Sequence, residues 1–151
     1  MRLFPQQFIR VRAYLLEEGV PPLTEVVIGL ATVRDNCDLH VGRAEDFLLF
    51  EDGSRVPLDY EAKPSNKDRQ LIVPRLRATV FFEPAKRSSA NPPMIRAIVD
   101  TGAPYVIVPH LVHKFWSLRY HNLDRRYYGS LVGQRKDQPF CEIGLKFVAN
   151  L

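Results

Sequence analysis

The chain has 151 residues, 46% of them hydrophobic and 25% charged, with a formal net charge of +4 and two cysteines. These values bound one domain, or one domain with an appendage, able to bury a core, and they exclude wholesale disorder. No apolar stretch is long enough to span a membrane, and the N-terminus lacks a charged-then-apolar leader, so the expectation is a soluble, cytoplasmic protein with no membrane partner.

The charge is unevenly spread. Residues 1–70 carry 9 Lys/Arg against 12 Asp/Glu, and residues 71–151 carry 12 against 5. The basic half is a reason to consider nucleic acid. Its charges are scattered (Arg75, Arg77, Arg96, Arg125 and Arg126 among them) and no binding module surrounds them, so solvated faces are expected and nucleic acid is not. Cys37 and Cys141 form no C-x-x-C pair and read as reduced, partly buried thiols.

In chain order, residues 5–18 (PQQFIRVRAYLLEE) predict a helix. Pro5 suits a first turn, and Phe8, Val11 and Leu15, with Leu16 on the flank, make a loose apolar stripe. Gly19 and the following prolines stop it. Residues 25–33 (EVVIGLATV) read as a buried strand. Residues 47–50 and 55–58 flank Asp52-Gly53-Ser54, a hairpin signal. Residues 61–70 (EAKPSNKDRQ) are polar and without period, the best linker candidate. The expected organisation is therefore an N-terminal α+β extension over 1–70, whose role stays open between pro-region, partner-binding arm and extra strands, and a mainly β domain over 71–151.

In that second part, residues 76–82, 94–99 and 105–108 read as strands. Residues 110–116 (HLVHKFW) read as one or two helical turns. Residues 126–132 and 140–148 read as two more strands, joined by a polar turn over 133–139. The strand at 94–99 runs straight into Asp100. A carboxylate at that place is costly unless it has partners or a task. Gly102 allows a tight turn, and Thr101 is able to fix a carboxylate's orientation by a hydrogen bond. Apolar strands on both sides predict a rigid, dry setting, which suits an acid–base carboxylate.

The run Ile95–Pro109, apolar strand, Asp-Thr-Gly-Ala, Pro-Tyr, apolar strand, resembles the active-site segment of the retropepsin-like aspartic peptidases, most closely the bacterial single-domain type. The resemblance covers about residues 71–148. It implies a closed-barrel acid-protease lobe and an endopeptidase in which Asp100 is catalytic and Thr101, Gly102 and Ala103 form the active-site loop. No metal or cofactor is implied, and the substrate is a polypeptide bound as an extended strand. Two aspartates share a proton and a water in this chemistry. The chain holds a single Asp-Thr-Gly, so the second must come from another copy, in a homodimer with Thr101 hydrogen-bonded across it. A β-hairpin flap is implied over about 126–148, with Tyr128 and Gly129, or the turn at Gly133, near its mobile part.

Two departures stand against the family pattern. Val106 takes a place where Ser or Thr is common. The family also carries, after the flap, a strand ending apolar-apolar-Gly, a short helix and a terminal strand; here Glu142-Ile143-Gly144 is the nearest match. Either the lobe is C-terminally shortened, or residues 1–70 supply the strands, or the chain is a decayed relative. The alternative function is a catalytically inactive peptide-binding or protein-interaction module of the same fold. His110 and His113, with Asp124 or His121, have no recognised metal spacing and read as ordinary histidines.

Overall fold

The structure, a computed structural model, describes residues 7–64, 72–86, 93–129 and 135–149. Among them the chain is mainly β. Ten strands and two short helices follow in the order β1 (Ile9–Leu15), β2 (Val26–Ile28), α1 (Leu30–Asn36), β3 (Cys37–Val41), β4 (Asp46–Phe50), β5 (Arg55–Pro64), β6 (Ile72–Phe82), β7 (Ile95–Val99), β8 (Val106–Val108), α2 (His110–Phe115), β9 (Tyr120–Gly129) and β10 (Arg135–Phe147). No helix among the described residues is long and apolar enough to cross a membrane.

All ten strands join one sheet, in the order β3-β4-β5-β6-β7-β2-β8-β1-β10-β9. β10 also pairs back to β6, with Leu145 opposite Phe82. The pairings from β6 through β7, β2, β8, β1 and β10 thus return to β6. The inner strands are short apolar runs: β2 and β8 are buried at every residue. That is the pattern of strands covered on both faces. Val11, Ala13, Leu15, Val26, Ile28, Val99 and Leu145 belong to one core cluster. Tyr14, Leu16, Val27, Ile107, Tyr128 and Phe140 form a second cluster of buried residues.

The segment predicted as a helix over 5–18 instead holds strand β1 over Ile9–Leu15, and none of its described residues is helical. Ile9, Val11, Ala13 and Leu15 alternate with Arg10, Arg12 and Tyr14, and this period of two decides the matter. Val11, Ala13 and Leu15 enter one cluster while Tyr14 and Leu16 enter the other, so the apolar set spreads over both faces and imitates a helical stripe. The run at 25–33 is also divided: only Val26–Ile28 is strand, and from Leu30 the chain is α1. The hairpin around Asp52-Gly53-Ser54 forms as read. Gly53 takes φ +88°, a left-handed conformation that glycine adopts without strain, and the Asp52 carboxylate accepts from the Ser54 N–H and hydroxyl at 3.0 and 2.7 Å.

The linker candidate differs as well. Residues 61–64 complete β5, which pairs with β6 as far as Pro64 opposite Ile72; residues 65–70 lie outside the described residues. The residues expected as a turn over 133–139 are strand from Arg135 onward. Both cysteines are free, as expected, and burial pushes the Cys37 thiol up to about 11.

The boundary drawn at residue 70 does not divide the sheet. β1 lies between β8 and β10, and β2 between β7 and β8. Burying a Val, Leu or Ile side chain contributes about 2 kcal/mol. The loss of Val11, Leu15, Val26 and Ile28 is therefore on the scale of a domain's whole net stability. A chain starting at residue 71 is expected not to fold. Its amide NMR spectrum will be collapsed, and a dispersed spectrum from that fragment would contradict this topology.

Candidate active site

Asp100 follows the last residue of β7, and the loop it opens leads to β8. These two strands are not neighbours. β2 runs between them, parallel to β7 (Ile28 opposite Val99) and antiparallel to β8 (Val27 opposite Ile107). The loop must therefore arch over the end of β2, and its backbone is tied down there. Asp100 N–H donates to Ile28 O at 2.9 Å, Leu30 N–H to Ala103 O at 2.7 Å and Ala31 N–H to Pro104 O at 3.0 Å. The first two amides of α1, which have no partner inside the helix, are thus satisfied by the loop.

Gly29 makes this approach feasible. A Cβ there would lie within 2.7 Å of Tyr105 N, Tyr105 O and Ala103 O. Within the loop, Ala103 N–H donates to Asp100 O at 3.1 Å, closing a turn. Gly102 N–H donates to Asp100 Oδ1 at 2.8 Å. The carboxylate is thereby fixed in orientation by main chain alone, as an Asx-type turn does. Asp100, Thr101 and Gly102 are exposed and Ala103 is half-buried. The dry setting expected for Asp100 is therefore absent from a single chain. The apolar strands make the site rigid, and β7 ends before it covers the carboxylate.

A cavity of about 1190 Å³ opens on this loop. Asp100, Thr101, Gly102 and Ala103 line it, and so do Tyr127, Tyr128 and Gly129 from β9. The hairpin expected from the sequence forms, longer than read: β9 pairs with β10 from Tyr120 opposite Ile143 to Gly129 opposite Arg135. Gly133 lies outside the described residues. Tyr128 is 8% exposed. Its ring lies 5.4 Å from that of Tyr14, and its hydroxyl donates to Pro21 O at 2.7 Å. It anchors the hairpin, while its neighbour Tyr127 is 68% exposed.

Among the described residues, the acids lining the cavity are Asp100 and Glu25, and they differ in kind. Glu25 takes Arg75 Nη1 at 2.7 Å and Arg77 Nη2 at 2.8 Å. Burial alone would raise its carboxyl, but the hydrogen bonds from Arg77 and Arg75 and the charge of both guanidiniums outweigh it and hold Glu25 below its ordinary range. Such a carboxylate is ionised, saturated by partners and unfit to share a proton with Asp100. A second carboxyl for Asp100 does not come from this wall of the cavity.

Among the described residues no group of three or more His, Cys, Asp or Glu is arranged to hold a metal ion. His113 Nε2 is 2.7 Å from Leu16 O, and burial, with His110 nearby, holds its imidazole below the ordinary value. The residues that sequence reasoning passed over are Gly29, Tyr14 and the Glu25–Arg75–Arg77 cluster. For Gly29 a signal existed: an apolar-apolar-Gly triplet, Val27-Ile28-Gly29, leading into a helix.

A scan against protein-family models finds no match to the chain, and searches of curated proteins and of solved structures find none either.

Two outcomes follow from this geometry. Gly29→Ala forces the β2 end and the Asp100 loop apart and is expected to lower stability by about 3 kcal/mol, measured by urea unfolding. Glu25→Gln is expected to cost about 1 kcal/mol at neutral pH, a modest figure because the group is a third exposed. A carboxyl held low in the folded state stabilises above its unfolded pKa and loses that contribution as the pH falls through the folded value. The parent and Glu25→Gln unfolding curves should therefore converge as the pH drops below about 4. A constant gap across that range would refute the ionised clamp.

Proposed function

We propose that this protein is an aspartic endopeptidase of the retropepsin-like kind, working as a two-fold homodimer in which Asp100 from each copy supplies one carboxyl. The observation that carries the reading is the arrangement of β7, the Asp100 loop, β2 and β8, with Gly29 packed beneath the loop. A reactive group needs a fixed carboxylate at the floor of a cleft, and main-chain hydrogen bonds fix this one. The ring of pairings through β6, β7, β2, β8, β1 and β10 fits a closed-barrel lobe.

A strand and helix ahead of Asp100 also support the reading. Val27-Ile28-Gly29 with α1 behind it fits the apolar-apolar-Gly strand and short helix that such lobes carry beyond the flap. Here it comes ahead of Asp100 in the chain. Of the three alternatives left open by the sequence, the reading adopted is that residues from the N-terminal part supply these strands, in permuted order. Glu142-Ile143-Gly144, the nearest match by sequence, lies within β10 and carries no such turn.

The chemistry follows from two carboxyls brought within hydrogen-bond reach. Two like charges do not both ionise there, so the pair holds one proton and titrates as a unit. The ionised member takes a proton from a water, whose oxygen attacks the peptide carbonyl carbon. The protonated member gives its proton to the carbonyl oxygen, leaving a neutral tetrahedral diol. One diol hydroxyl then returns its proton to a carboxylate, the amide nitrogen receives a proton from the pair, and the C–N bond breaks. The exposed face of Asp100 is the one that a second copy covers, and covering it supplies the water-poor setting that one copy lacks. The peptide lies between loop and hairpin as an added strand, held by main-chain hydrogen bonds.

The exposure of Asp100 in one chain also favours a second reading, a peptide-binding module without catalysis, should the copies stay apart. Asp100→Asn keeps the loop's hydrogen-bond geometry and removes the ionisable group. It is expected to lower peptide hydrolysis by at least about a thousandfold with an unchanged circular dichroism spectrum. Hydrolysis that survives this change would reject the mechanism. Sedimentation that finds only monomers at high protein concentration would favour the module.

A further inference from the structure

Besides the β1–β10 ladder, four side-chain links among the described residues fasten the β9–β10 hairpin to β1 and the segment after it. The Glu17 N–H donates to the buried Gln138 Oε1 at 2.8 Å. Arg125 pairs with Glu17 at 2.8 Å. The Tyr128 hydroxyl donates to Pro21 O at 2.7 Å, and the Tyr14 hydroxyl donates to Tyr127 O at 3.1 Å. Of these, the two tyrosine links lie in the wall of the cavity that Asp100 opens into.

The Tyr14 link differs from the rest in what its ring touches. The ring sits edge-on to Phe140 of β10 at 5.1 Å and to Tyr105 at 6.2 Å, and tilted against Tyr128 of β9 at 5.4 Å. Tyr105 stands at the end of the Asp100 loop, and its backbone N and O are the atoms that a Cβ at Gly29 would meet first. Tyr105 in turn packs edge-on to Phe140 at 4.8 Å, and the Arg126 guanidinium covers the Phe140 ring at 4.1 Å. One side chain therefore touches both the loop that carries the carboxylate and the hairpin above it. Burial holds the Tyr14 hydroxyl above its ordinary pKa, so at neutral pH it is a donor and Tyr127 O its acceptor.

The acceptor lies where the hairpin needs a tie. β9 is the outermost strand, paired with β10 alone. β10 is held by β1 only as far as Phe140, opposite Tyr14, so the outer part of the hairpin, Arg125–Gly129 with Arg135–Pro139, is a ribbon of two strands, which is marginal by itself unless anchored. We infer that Tyr14 is a positioning residue: its hydroxyl fixes the hairpin main chain at Tyr127 relative to the Asp100 loop, at the height where an extended peptide is gripped. The inference rests on the peptidase reading only for the peptide. The tie itself is a property of the chain.

Tyr14→Phe keeps the ring and its packing and removes only the O–H, so a folded variant is expected. Two readouts apply. For a cleaved peptide, KM should rise about three- to tenfold while kcat changes less than about twofold, since the hydroxyl touches no reacting atom. Without any peptide, amide hydrogen exchange at Tyr127–Gly129 should quicken by a similar factor, with the β2 and β7 amides unchanged. Unchanged exchange at those hairpin amides, or a fall in kcat with KM constant, overturns the inference. If the parent protein cleaves no peptide, the peptidase reading fails and the exchange comparison still decides the tie.

Discussion

The passage of β2 between the two strands that flank the Asp100 loop is the constraint from which the rest of the site follows. Three short apolar strands leave no room for a side chain where the loop crosses, and Gly29 is the residue that lets the crossing occur. Once the loop is pressed onto the end of β2, the Ile28 carbonyl holds Asp100 N–H and the first amides of α1 hold the Ala103 and Pro104 carbonyls. The carboxylate is then oriented by backbone, the stiffest support a chain offers. No single contact here is large. The loop is held by several hydrogen bonds of about 1 kcal/mol each, made between backbone groups that need partners there.

Against that rigid floor the two carboxylates that line the cavity among the described residues differ in how they are held. Glu25 is surrounded by guanidinium groups and joins β2 to β6; it is charged because its neighbours require it. The Asp100 carboxylate accepts from the Gly102 amide and is exposed. The first is saturated by its partners, and the second keeps an exposed face. The distinction depends on partners rather than on burial, since both groups reach the same space.

The sequence made legible what is local. The strands at β7 and β8, the β4–β5 hairpin and α2 each declare themselves within a few residues, by apolar runs or by a turn triplet. The loop Asp100–Ala103 was equally visible, because its flanks are part of the same stretch. What was not legible depends on distant partners. Tyr14 and Leu16 are apolar on the face opposite Val11, Ala13 and Leu15 because a second cluster waits there, supplied by Val27, Ile107 and Phe140; taken alone, the segment looks like a helix. The break between β2 and α1 falls at Gly29 for the sake of Tyr105, a residue far along the chain. The expected dryness of Asp100 failed for a related reason: the strands beside it are buried, but a strand end is not a lid.

The order in which the sheet is threaded bears on how the molecule comes to exist. β1 and β2 are synthesised before their partners: Ile9 pairs with Leu145 and Val26 with Ala97. These strands must wait until β7, β8 and β10 have emerged before both of their edges are paired. Pairings this distant in sequence are slow to close, because the loop entropy is lost before any contact compensates it. The same strands, apolar and unpaired during that interval, are the ones most exposed to association with other nascent chains.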